Sequence, residues 1–76
     1  MEKGQLSLSI EIGKKLKQLR IKKGYASYEI FAIDNDLDRK QYWRVESGAN
    51  ITLKTLEKIL VKHNLKVKDF FSDFEF

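Results

Sequence analysis

Apolar residues recur along most of the chain at spacings of three and four, the period of an amphipathic helix. Ile12, Leu16 and Leu19 form such a stripe between about Ser9 and Lys23, while Lys14, Lys15, Lys17 and Lys22 take other faces. Ser9 suits the start of this helix, and Gly24 suits the left-handed residue just past its end. A second helix is predicted from Ser27 to about Asn35, with Glu29 in its first turn and Ile30, Phe31 and Ile33 as apolar area. A third runs from Asp38 to about Ser47, where Asp38 and Gln41 have the spacing of a capping box. A fourth runs from Thr52 to His63 on the stripe Leu53, Leu56, Ile59 and Leu60, with Asn64 able to close it. Phe70, Phe71 and Phe74 put a fifth over about 67–74. Only Leu6–Ile10 alternates with period two. This predicts an extended N-terminal arm over residues 1–9, followed by a single domain over 10–76.

Five short helices joined by short connections predict a compact all-α domain. Each is near or below the length that is stable alone in water, so packing must hold them. With 76 residues the chain has room for one core only. It has no cysteine, which removes disulfides and thiolate metal sites, and one histidine, His63, which reads as a partly buried or helix-end residue rather than a ligand. No glycine-rich phosphate loop or nucleophile–base set is present, so neither an enzyme nor a cofactor is expected. No apolar run is long enough to span a bilayer, helix one lacks a broad face of bulky anchors, and the first residues lack a signal-peptide pattern. The expectation is a cytoplasmic protein. The net charge of +4 suggests an anionic partner. The excess lies in helix one, at Lys14, Lys15, Lys17, Arg20, Lys22 and Lys23, whereas the middle third is locally acidic around Arg39, Lys40 and Arg44. That is not a polybasic tail, so nucleic acid would have to meet a shaped surface.

Helices two and three, joined through Asp36-Leu37, have the helix-turn-helix plan. Around them, Ile12-Gly13-Lys14-Lys15-Leu16-Lys17-Gln18-Leu19-Arg20, Lys23-Gly24-Tyr25, Ser27-Tyr28-Glu29 and Phe31-Ala32 are similar to the opening of a phage-repressor-type domain. Arg39–Gly48 is similar to its recognition helix and exit, and Leu53–Leu60, Asn64-Leu65 and Asp69-Phe70-Phe71 complete the pattern. Over about residues 10–71 the chain resembles the Cro/repressor-like (XRE) helix-turn-helix family. The resemblance implies a five-helix, lambda-repressor-like fold and a sequence-specific double-stranded DNA-binding transcriptional regulator, in the repressor mould.

It also implies that helix three lies in the major groove with its N-terminal half toward base edges. The candidates there are Arg39, Lys40, Gln41, Trp43 and Arg44. Arg and Lys suit guanine O6 and N7, and Gln suits adenine. Taken alone, Arg39, Lys40 and Arg44 would be an ordinary solvated face, Gln41 could be occupied by Asp38, and Trp43 could pack at the core rim. Tyr42 and Val45 should turn inward. Tyr28 falls where the family has a phosphate-contacting polar residue, through its hydroxyl and the first backbone N–H groups. Otherwise it is a surface aromatic. Ser47 and Asn50 are phosphate candidates on the other side, and Lys22 a more distant one. Family members often tie an Arg late in helix one to the Glu ending helix three, here Arg20 and Glu46, as a structural ion pair.

The chain departs from the family in places. Ala26 lengthens one link, Asn35 stands at a usually apolar position that Ile33 is expected to fill instead, and Asp36 replaces the turn glycine. Lys66 is a poor cap for helix five. Asp34, Asp36 and Asp38 place negative charge near the groove-facing end. Because one such domain covers a short half-site, a homodimer on a near-palindromic operator is expected. The candidate interface is the aromatic group Phe70, Phe71, Phe74 and Phe76, of which two, Phe70 and one neighbour, can plug the core. The competing reading is an antitoxin-type interaction module that binds a toxin partner and its own promoter.

Overall fold

The computed structural model describes residues 3–75, and side chains from Leu8 to Glu75. It is all-α among the described residues, with five helices: α1 (Lys3–Lys22), α2 (Tyr28–Asp34), α3 (Arg39–Glu46), α4 (Leu53–Lys62) and α5 (Val67–Phe70). α1 differs most from the pattern read in the sequence. It begins at Lys3, and the stretch 6–10 expected to be an extended arm is helical. No proline interrupts it, and Leu8, four residues before Ile12, continues the apolar stripe of Ile12, Leu16 and Leu19. The first two residues of the expected arm lie outside the described residues.

Local chemistry sets the other boundaries. Ser27 caps α2 by accepting a hydrogen bond from the Ile30 N–H at 3.3 Å, and Thr52 caps α4 by accepting one from the Thr55 N–H at 3.1 Å. Asp38 precedes α3 without a side-chain cap, so the Asp38–Gln41 capping box does not form. Lys66 likewise gives α5 no side-chain cap. Four helices end in the same device, with a left-handed residue followed by two backward N–H bonds. Gly24 and Tyr25 donate to Ile21 and Arg20 carbonyls, and Asp36 and Leu37 to Ile33 and Ala32. Gly48 and Ala49 donate to Val45 and Arg44, and Asn64 and Leu65 to Val61 and Leu60. Each pair is a Schellman closure that satisfies helix-end carbonyls. Gly24 and Gly48 take the positive φ freely; Asp36 (φ 58°) and Asn64 (φ 54°) are the non-glycine types that tolerate it best.

α5 is shorter than expected. The carbonyl of Phe70, which a longer helix would use internally, accepts a hydrogen bond from the Lys15 ammonium. Lys15 also pairs with Asp73, whose carboxyl it holds below the usual range, and lies over the rings of Phe70 and Phe74. The chain therefore turns after Phe70 instead of continuing.

The core is Ile12, Leu16, Phe31, Ala32, Tyr42, Val45, Leu56, Ile59, Leu60 and Phe70, drawn from all five helices. Fully burying a side chain of this size contributes roughly 1.5–3 kcal/mol. α3 packs on both α1 and α2, so the core clamps the inner face of α3 and leaves its outer face in solvent. The Asn35 position is not filled by Ile33, which is 62% exposed. Asn35 stays half-buried by donating its amide to the backbone carbonyl of Phe31, one turn back, at 2.8 Å.

Candidate nucleic-acid interface

The outer face of α3 is built on a rigid inner face. Tyr42 and Val45 are buried, at 1% and 4% exposure, which fixes the rotation of the helix. Arg20 fixes its end. Buried in α1, it donates through Nε and Nη2 to the two carboxylate oxygens of Glu46 at 2.8 and 2.9 Å. Its Nη1 donates to the carbonyls of Tyr25 and Ala26 at 2.9 and 2.8 Å. The guanidinium thus joins α1, the α1–α2 link and the last turn of α3. The hydrogen bonds that Arg20 donates to Glu46 raise its pKa above the ordinary value, against the opposing effect of burial. The Tyr42 hydroxyl is buried near this pair without a hydrogen-bond partner among the described residues, and burial pushes its pKa well up.

Gly13 is a second fixture. A Cβ built there would lie 2.5 Å from the Val45 carbonyl oxygen and 3.0 Å from that of Glu46. α1 therefore meets the end of α3 backbone to side-chain-free backbone, a spacing only glycine permits. The sequence showed this glycine within a motif, but its role is visible only in the packing.

The structure gathers most of the expected site residues on two clefts flanking α3. On the α2 side, Tyr28, Glu29, Arg39, Lys40, Trp43 and Arg44 line one cleft. On the α4 side, Asp38, Lys40, Gln41, Arg44, Asn50 and Thr52 are among those lining the other. Lys40 and Arg44 border both and stand on the ridge between them. Trp43 is 51% exposed, so it sits on this face and not at the core rim. The side chains of Lys40, Gln41, Trp43 and Arg44 make no hydrogen bond or ion pair with any described residue. Arg39 has one partner, Glu29, at 3.7 Å. Tyr28 is half-buried against the core with its ring edging the cleft.

Three expected residues stand differently. The Ser47 hydroxyl donates to the Trp43 carbonyl at 2.8 Å, so its proton is already used within the helix end. Lys22 is exposed in the last turn of α1 and lines neither cleft. Of the aromatic group, Phe70 has 0% exposure and no surface to offer a partner, which corrects its place in an interface. Phe71 and Phe74 are half-buried and pack edge-on to each other and against Phe70. Phe76 lies outside the described residues. His63 is the C-cap of α4, stacked on Phe31 at 5.2 Å between ring centroids. Burial lowers its pKa, aided by Lys23, and its Nε2 is buried without a partner among the described residues. Among the described residues no cluster of three or more potential metal ligands occurs. No described helix is long and apolar enough to cross a membrane.

The chain is 42% identical over 69 residues to "Control protein C.MunI" of Mycoplasma sp., covering 90% of this chain and 93% of that protein. The chain belongs to the family of this control protein. No protein-family model and no solved structure matches it. The match spans nearly all of both chains, so it covers the whole helix-turn-helix unit and not one fragment of it.

Proposed function

We propose that this chain is a sequence-specific double-stranded DNA-binding transcriptional regulator of the XRE type, which reads the major groove with α3. The observation that carries this is the outer face of α3. Arg39, Lys40, Gln41, Trp43 and Arg44 stand together in solvent, four of them with no hydrogen-bond or ion-pair partner among the described residues, on a helix whose inner face and end are locked. Locked inner contacts supply the pre-organisation a reading helix needs, and free outer donors supply the readout. Membership in a control-protein family agrees with a regulatory role. Tyr28 and Asn50, on the two sides of α3, are placed to take flanking phosphates, so that base contacts specify and phosphate contacts position. Where its site overlaps a promoter, the bound protein would exclude the polymerase and act as a repressor.

A single α3 covers about one half-site, so the protein acts as a homodimer. The surface for the second copy runs beside the groove lined by Leu8, Ile12, Ile51, Leu53 and Phe71, with Phe74 nearby. Leu53 at 77% exposure is the most exposed of the large apolar side chains there.

The test is fluorescence anisotropy with a duplex selected by the protein. Arg39→Ala and Arg44→Ala should each weaken binding by about 1–3 kcal/mol and relax preference at separate base pairs. Lys68→Ala, on α5, should change neither. Equal, uniform losses from all three would leave only general charge attraction and refute major-groove reading by α3.

A further inference from the structure

Glu29 is the one acid among the residues lining the cleft between α2 and α3, where Arg39, Lys40 and Arg44 supply three cations. A carboxylate on a face that meets phosphates costs attraction, so its presence there asks for a reason. Its Oε2 lies 3.7 Å from Nη1 of Arg39, across the helix-turn-helix, and both side chains are about half exposed. In water such a pair contributes little to stability. Once DNA covers the cleft and expels water, the attraction between the two strengthens. A guanidinium has donors along more than one edge. An edge engaged by Glu29 leaves another for guanine O6 and N7, and takes away the full positive charge that would otherwise favour any phosphate.

We infer that Glu29 is a positioning residue for Arg39: it aims the guanidinium at a base edge and suppresses its binding to the sugar-phosphate backbone. The inference rests on the reading of α3 as the DNA-facing helix. Glu29 thereby sets specificity through Arg39 and not through contact with DNA.

The experiment compares the full chain, Glu29→Gln, Arg39→Ala and the double variant. Each is titrated against the duplex selected by the parent, against single-base-pair variants of it, and against a random duplex over a range of salt. Glu29→Gln should melt like the parent, because the pair is exposed. It should bind the random duplex about two- to fivefold more tightly, as one opposing charge is gone. It should lose about three- to tenfold in discrimination, at the same base pair where Arg39→Ala loses its own. With Arg39 already replaced, Glu29→Gln should leave discrimination unchanged. Full discrimination retained by Glu29→Gln would overturn the inference, while a loss of discrimination by Arg39→Ala at one base pair upheld α3 as the reader. So would an equal loss in the Arg39→Ala background. A parent that selects no motif would overturn both.

Discussion

Arg20 holds more of this protein together than any other polar residue. It is 4% exposed, and its four hydrogen bonds span three segments. Removing one partner of a buried pair strands the other and costs about 3–5 kcal/mol, a large part of a small domain's stability. Arg20→Ala should therefore lower the melting temperature sharply and abolish DNA binding through loss of the fold. A melt that matched the parent, followed by circular dichroism, would contradict this. His63 gives a pH signature. Its pKa in the folded chain lies below the ordinary 6.5, so below that pH the unfolded chain takes up a proton that the folded chain resists. Stability should then be full above about pH 6.5–7 and fall as the pH drops through the ordinary value toward the lowered one, with a slope up to about 1.4 kcal/mol per pH unit. Urea melts from pH 7.5 to 5 check this, and His63→Phe should flatten that part of the curve.

At the scale of elements, the contact between α1 and α3 decides whether α3 can present its outer face. Gly13→Ala puts a methyl against the Val45 carbonyl, where backbone must move, and should cost about 1–3 kcal/mol and weaken DNA binding. Gly24→Ala is the control. Open space surrounds that position, so only the strained left-handed backbone is penalised, by about 1–2 kcal/mol, and α3 stays put. Thermal melts paired with binding titrations separate the two. α2, α3 and α4 were legible in the sequence to within one or two residues because their signals are local: Ser27 and Thr52 as caps, Asp36 and Asn64 as closures. The start of α1 was not, since the alternation of Leu6–Ile10 resembles a strand and no cap or breaker marks where the helix begins. The end of α5 was hidden for the opposite reason. It is fixed by Lys15, 55 residues away in sequence from the carbonyl it takes. The role of Gly13 and the fate of Ile33 are likewise facts of packing. The residues on the outer face of α3 were readable from helical spacing once Tyr42 and Val45 were assigned inward.

For the molecule as a whole, the charge pattern and the apolar pattern divide the labour. The core and the Arg20–Glu46 pair hold the helix-turn-helix, and Arg39, Lys40 and Arg44 stand in solvent on the outer face of α3, apart from the lysine excess of α1. The central claim is that this surface reads sequence, as a two-fold pair. Selection from a pool of random DNA duplexes at physiological salt, with sequencing of the bound fraction, tests it most directly. The expected result is a two-fold symmetric motif whose half-sites lie about one helical turn, roughly 10 base pairs, apart. Retention of DNA with no enriched motif, lost steeply as salt rises, would show phosphate attraction alone and would contradict it.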